Sequence, residues 1–164
     1  MAALLLFLAV VSTGLYAGFL LIFRTGIMPA LARLTDEEFV TVMRRINEYV
    51  PKPVFLLVFL GVAVLPAAAL FVPVDGRSDT QKWLVVAGLV TALANHLVTV
   101  TGNIPLNAAL AASEAEGTPA ATVRAAFEAR WNRFHLLRTL LILASFVLLA
   151  ASAVLADPAG PASA

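Results

Sequence analysis

A chain of 164 residues has room for about one domain, and this one is 61% hydrophobic and only 13% charged, with a mean hydropathy of +0.93. A soluble fold of that size cannot bury so much apolar surface, so the class is integral membrane protein, with the lipid bilayer as its first partner. The absence of cysteine removes disulfides, thiolate metal ligands and a cysteine nucleophile, and a net charge of +1 gives no footprint for nucleic acid.

No charged residue occurs from Met1 to Phe23. The stretch predicts a first span over about 3–25, since roughly 20 apolar residues cross a bilayer. It is read as a retained helix rather than a secretory signal, because it lacks a basic start and its apolar run is longer than a signal core. Gly14 and Gly18 give small-residue spacing for close helix contact, and Ser12 and Tyr16 are read as exposed or packing residues, with a place at the polar site as the alternative. GIMPALARL, at 26–34, then reads as a helix stop, with Gly able to end a helix and Pro unable to continue it. An interfacial amphipathic helix follows over about 35–49. Thr35 and Glu38 form a capping-box pattern, acids crowd its first turn, and Phe39, Val42, Met43 and Ile46 make its apolar face.

The second span is expected over about 53–73, kinked at Pro66, and the third over about 83–102. From Trp83 to Ala112 the only titratable side chain is His96. GNIPLNAAL, at 102–110, reads as a second stop resembling the first. A second interfacial helix is expected over about 118–134, capped by Thr118 with Pro119 at its first position. The fourth span follows over about 136–156, and DPAGPASA, at 157–164, reads as a disordered tail. The plan is span, interfacial helix, span, performed twice: an all-α, four-helix membrane bundle with a weak internal two-fold repeat.

Lys and Arg collect in the first long connection (Arg24, Arg33, Arg44, Arg45, Lys52) and the second (Arg124, Arg130, Arg133), whereas the short middle connection has only Arg77 and Lys82. The positive-inside rule puts connections 24–52 and 103–135 in the cytoplasm and both termini outside, in a plasma (inner) membrane.

Polar residues recur on two helix faces. If the second interfacial helix continues into the fourth span, Arg124, Glu128, Trp131, His135 and Arg138 lie on one face, extended by Ser145 and Ser152. Arg124, Glu128, Arg130 and Arg133 read as a solvated or snorkelling edge. His135 and Arg138 lie inside the apolar run and read as pointing into the bundle. On the third span Ala92, His96, Thr99, Asn103 and Asn107 recur at three and four residues, with Asn95 beside them and His96 roughly 10 Å deeper than Asn103. Asn47 arrives from the first interfacial helix. Ionisable groups at such depth face protein, a cavity or a partner. The set suits an aromatic or phenolic guest entering from the bilayer, and equally suits fastening helices together with no guest.

MPALARL, RRINEYV, TGNIPLN and RWNRFHLLRTLL, in that order over roughly residues 10–150, resemble the anthrone oxygenase family of small membrane proteins. The resemblance implies four transmembrane helices. For characterised members it implies oxidation of an anthrone to an anthraquinone by dioxygen, a monooxygenase-type reaction without flavin, haem or metal. By matching position, Asn103, Pro105 and Asn107 belong to one recurrent motif and Trp131, His135 and Arg138 to the other. An anthrone is a weak carbon acid, so its oxidation needs a base, an oxyanion stabiliser and a dry aromatic pocket. His135 or His96 fits the base, Arg138 with Asn103 or Asn107 the stabiliser, and Trp131 or Phe134 a wall.

Three other classes are weighed against this one. Proton-coupled transport usually places a carboxylate inside a span, and every Asp and Glu lies outside the four expected spans. Haem or metal binding is disfavoured, because the two histidines differ in depth and have no acids or thiolates beside them. A non-catalytic binding protein or scaffold stays open, as does a homo-oligomer with His96 at the subunit interface.

Overall fold

The computed structural model describes residues 2–72 and 77–155. Part of the middle connection and the tail read as disordered, 157–164, lie outside them. Among the described residues the protein is 90% helix with no strand. The elements in order are α1 (Ala2–Ile22), a π-helical turn (Phe23–Ile27), α2 (Met28–Leu31), α3 (Asp36–Tyr49), α4 (Pro53–Phe71), α5 (Asp79–Val98), a second π-helical turn (Thr99–Asn103), α6 (Ile104–Ala115) and α7 (Ala120–Val154). Four continuous stretches are long and apolar enough to cross a membrane: Ala3–Leu31, Pro53–Phe71, Asp79–Ala115 and Ala120–Val154.

The two Gly-x-x-Pro segments are not helix stops. Both helices run through them as π turns, the Met28 N–H bonding Phe23 O and the Ile104 N–H bonding Thr99 O, with right-handed helical dihedrals on either side. Proline has no N–H to return to the carbonyl four residues back, and the wider turn places Pro29 and Pro105 at the start of the next α-helix, where that N–H is not needed. Thr25 and Thr101, 76 residues apart, each bond the carbonyl four residues earlier, Leu21 O at 2.8 Å and Leu97 O at 2.8 Å. The repeat read from the sequence thus has a structural counterpart in two matching π turns.

The second amphipathic segment also differs from the expected two-piece form. It is the first part of α7, one helix of 35 residues, about 52 Å long and so about 20 Å longer than a hydrocarbon core. No Gly or Pro interrupts Ala120–Val154. In the first half Pro51 and Pro53 break the chain, and Lys52, squeezed before Pro53, is extended at φ −95° and ψ 169°. The cap of α7 is Pro119 rather than Thr118 and makes no side-chain bond. The Thr35–Glu38 capping box of α3 is present in full. On that helix Phe39, Val40 and Met43 are buried while Val42 is exposed.

In the bundle α1 packs on α4 and α7, and α5 packs on α7 and α4, so the four spans close a ring. Lipid supplies no hydrophobic force between helices, so close approach and buried hydrogen bonds hold them. Ser145 Oγ donates to Gly88 O at 2.8 Å and Ser152 Oγ to Gln81 O at 3.1 Å, tying α7 to α5. A Cβ on Gly88 would lie 2.9 Å from Leu149. Gly14 approaches Phe146 in the same way, whereas Gly18 has open space around it. A separate apolar core lies at the end of the bundle with the amphipathic helices, where Phe39, Met43, Leu110, Phe127 and Trp131 meet.

Candidate functional site

The polar residues of α5–α6 reach one site because of the π turn. An α-helix advances about 100° per residue, so positions four apart drift about 40° each step. Asn95, Thr99, Asn103 and Asn107 would spiral off the bundle face, but the wider turn at Thr99–Asn103 takes up part of that drift. Asn95, Thr99 and Asn103 are all buried.

Opposite them, α7 presents Trp131, His135 and Arg138. The Trp131 indole N–H donates to Asn107 Oδ1 at 2.8 Å, and Asn103 Nδ2 donates to Trp131 O at 3.2 Å. Trp131 stacks on His135, with centroids 4.7 Å apart and planes 10° from parallel. His135 Nε2 lies 2.9 Å from Leu20 O. A carbonyl only accepts, so the proton sits on Nε2 and Nδ1 offers a lone pair. Arg138 takes it twice, Nε at 3.2 Å and Nη2 at 2.9 Å. Both imidazole nitrogens are therefore engaged, and His135, expected as a base, has no free nitrogen with which to accept a proton.

Arg138 is 9% exposed. Among the described residues its only hydrogen-bond partner is His135, and no carboxylate pairs with it. Two of its five N–H groups are occupied. A guanidinium held this way is a fixed positive charge at depth, with donors left over.

That charge faces a cavity of about 590 Å³, within the range of small-molecule sites. Its walls come from four places: Arg44, Asn47 and Glu48 on α3, Phe55 and Phe59 on α4, Thr99 and Asn103 in the π turn, and Ile104, Asn107, Ala108, Ala111 and Glu114 on α6. Arg138 closes it from α7. Phe55 and Phe59 lie parallel within 8°, a flat apolar side for a planar ring. Glu48 and Glu114, with side chains 54% and 75% exposed, stand at the mouth.

Of the residues singled out from sequence, Asn47, Asn103, Asn107 and Arg138 line this cavity, and Trp131 and His135 stand behind it holding Asn107 and Arg138. Phe134 does not line it. It packs against Gly102, where a Cβ would come within 2.6 Å of its ring. His96 stands apart, its nitrogens 2.9 Å from Ala92 O and 2.9 Å from Phe59 O and its ring stacked 4.1 Å from Phe59. It braces a wall residue from behind, a fastening role within the chain. Arg124, read as a solvated edge, is a clamp instead. It donates to Ala32 O, Leu34 O, Asp36 and Glu128 at 2.7–3.1 Å.

Sequence reading missed Phe55, Phe59, Arg44, Glu48 and Glu114. Nothing in the apolar pattern of α4 marks which face looks inward, Arg44 counted only among the basic residues of the first long connection, and Glu48 and Glu114 belong to no motif. The signal available for Arg44 was its helix, whose amphipathic face needed a partner at the same level as Asn107.

The fold and site define a four-helix membrane protein with an internal repeat and a buried, histidine-held arginine at the end of an aromatic-walled cavity. The model of the anthrone oxygenase family matches residues 39–148, and the chain belongs to that family. No curated protein and no solved structure matches the chain.

Proposed function

We propose that the protein oxidises an anthrone-like aromatic ketone or phenol with dioxygen, with Arg138 holding the oxygen that becomes an anion. The observation that carries this reading is the buried guanidinium without a carboxylate partner among the described residues, set at the inner end of an aromatic-walled cavity. Family membership supports the reaction class. An anthrone CH2 group and one O2 give the quinone carbonyl and one water, so dioxygen alone balances the oxidation and neither cofactor nor metal is required.

In this reading the ring system enters from the bilayer and lies along Phe55 and Phe59. Arg138 draws the enol oxygen to the inner end and stabilises the enolate, a fixed donor in a low-dielectric site being worth far more than one in water. Asn107, its Oδ1 held by Trp131, offers amide N–H groups to a second ring oxygen. The proton released on enolisation goes to Glu48 or Glu114 at the mouth, since His135 is fully bonded. The concentration of Lys and Arg in the two long connections supports an orientation with the mouth at the cytoplasmic face of a plasma membrane.

The test is dioxygen uptake and quinone absorbance with a simple anthrone and metal-stripped protein in nanodiscs, comparing wild type with Arg138→Gln. Turnover above the spontaneous rate that falls about 100-fold or more in the variant is expected, as for removal of an oxyanion donor. Wild-type protein that binds the anthrone without accelerating its oxidation would leave a binding protein and remove the oxygenase.

A further inference from the structure

Tyr16, on α1, is fully buried, and it lies outside the residues that match the family model. Its ring packs against Phe59 and Phe55, with centroids 5.6 and 5.8 Å away, so it forms the layer directly behind the aromatic wall of the cavity. Its hydroxyl lies close to Asn95, Thr99 and Arg138, yet makes no hydrogen bond of good geometry among the described residues. Neither does either atom of the Asn95 amide. A buried tyrosine hydroxyl almost always finds a partner, and here a phenol and a whole carboxamide lack one beside a buried cation.

The donors and the charge say what would complete the cluster. Tyr16 brings one O–H, Asn95 two N–H, and Arg138 the N–H groups not given to His135. Against these stand Asn95 Oδ1, the Tyr16 oxygen, the unpartnered Asn103 Oδ1 of the same π turn and the Thr99 hydroxyl, whose own proton goes to Asn95 O at 2.9 Å. Among the described residues the Arg138 charge has no carboxylate beside it, so an oxyanion balances the cluster and a cation does not. Thr99 and Arg138 belong to both the cluster and the cavity wall, so the cluster adjoins the cavity's inner end, with Tyr16 and Asn95 one layer behind it. From α1, Leu20 O also holds His135, which holds Arg138, so one turn of one helix supplies both the brace and a donor.

We propose that Tyr16 and Arg138 together form an oxyanion subsite that binds the ionised oxygen of a phenol or enol, with the Tyr16 hydroxyl as the second donor. This rests on the reading of the cavity as a site for an aromatic oxygen, and it concerns binding rather than oxidation. The ligand class that follows is planar aromatic with an ionisable ring oxygen, bound in preference to the same ring without one.

The experiment uses 1-hydroxyanthraquinone, whose visible absorption changes on ionisation, with the full-length protein in nanodiscs, and anthraquinone as the ring without the hydroxyl. Wild type is expected to bind the dye as its anion at a pH where the free dye is neutral. Tyr16→Phe is expected to lower anion affinity about tenfold or more, the scale of one hydrogen bond to a charge, while anthraquinone binding stays unchanged. Arg138→Gln removes the anion preference altogether. A Tyr16→Phe protein with the wild-type preference overturns the proposal. Should that variant lose anthraquinone binding too, difluorotyrosine at position 16 keeps the shape and sharpens the donor. A stronger anion preference then supports the subsite and an unchanged one overturns it. Anion preference without anthrone oxidation keeps the subsite and removes the oxygenase reading, whereas oxidation with no effect of Tyr16→Phe on dye binding does the reverse.

Discussion

The two halves of the chain share one scaffold and differ in what they put on it. Counting 76 residues forward from the first half, Phe19 corresponds to Asn95, Phe23 to Thr99, Ile27 to Asn103 and Leu31 to Asn107. Both halves have the π turn and the proline after it, but at these four positions only the second has polar side chains. The histidines follow the same frame. His135 of α7 bonds Leu20 O of α1, and at the equivalent interface His96 of α5, the counterpart of Leu20, bonds Phe59 O of α4, the counterpart of His135. The same helix junction is pinned twice, by an imidazole from opposite sides, and only one of the two imidazoles has an arginine behind it. Val62 stands where the second half has Arg138. A repeated fold thus became one-sided by changing side chains at equivalent depths, which assigns scaffold to what the halves share and ligand chemistry to what they do not.

The largest effect expected from breaking that contrast is at His135. His135→Phe gives the second half the residue of the first and removes the only acceptor that orients Arg138 among the described residues. Dye-anion affinity and anthrone turnover are both expected to fall about 100-fold, because an unheld guanidinium on a flexible stem no longer points into the cavity. His96→Leu gives the third span the residue of the first span instead. It is expected to cost about 0.6–1 kcal/mol of stability and to leave turnover within about twofold. Equal losses in the two variants would mean that both histidines serve the fold alone.

Much of this was legible in the sequence. The four spans follow from the apolar runs, and the depth of His135 and Arg138 follows from where the last run begins. The i, i+3 spacing of those two residues already placed them side by side on one helix face. The π turns were not legible, because Gly and Pro three residues apart signal a helix end and a widened turn equally well. Only the packing of Phe134 over Gly102 and of α2 and α6 beyond the turns decides between them. The inward faces that carry Tyr16, Phe55 and Phe59 were hidden for another reason. Helices α1 and α4 are apolar all round, so their sequences carry no rotational phase.

Glycine at the two π turns gives the next test. A Cβ on Gly102 would lie 2.6 Å from two atoms of the Phe134 ring, whereas on Gly26 it would meet only the tip of Ile22, at 3.2 Å. Gly102→Ala is expected to destabilise by about 1–3 kcal/mol through overpacking, and Gly26→Ala by well under that, since a side-chain end moves aside. Unfolding by denaturing detergent in mixed micelles reads both.

A smaller and more specific contrast lies in the two arginine clamps. Arg124 of the second half donates to Leu34 O, and Arg44 of the first half donates to Leu110 O at 3.0 Å, the two leucines being counterparts 76 residues apart. Each half thus ties an arginine to a backbone carbonyl of the other. Arg124 also bonds Ala32 O, Asp36 and Glu128 and sits over the Phe39 ring at 4.5 Å, while Arg44 adds Ser113 Oγ and Glu114, the latter at 3.9 Å. Arg124→Ala is expected to cost about 2 kcal/mol and Arg44→Ala about 1 kcal/mol. Arg44 lines the cavity and Arg124 does not, so only Arg44→Ala is expected to change ligand affinity.

The smallest effect tests why the amphipathic segments begin differently. The α7 segment is carried by the long helix it belongs to and starts without a side-chain cap. The α3 segment is cut off by prolines at its far end, and its 14 residues are too few for an isolated helix to be stable in water. Its capping box supplies part of what continuity supplies to α7. The Thr35 backbone N–H and hydroxyl both donate to Glu38 Oε2 at 3.0 Å, and these bonds hold the Glu38 carboxyl below the ordinary glutamate range. A carboxyl lowered in the folded state adds stability above its unfolded pKa, and that stability is lost as pH falls through the lowered value. The protection of the α3 amides, relative to their intrinsic exchange rate, should therefore fall below about pH 4, while that of Ala120–Ala129 in α7 shows no such dependence on this group. Glu38→Gln keeps the hydrogen-bonding shape without the charge and should flatten the acid limb for α3. A limb of the same size in Glu38→Gln would place the titrating group elsewhere and leave α3 held by its packing on α6 and α7 alone.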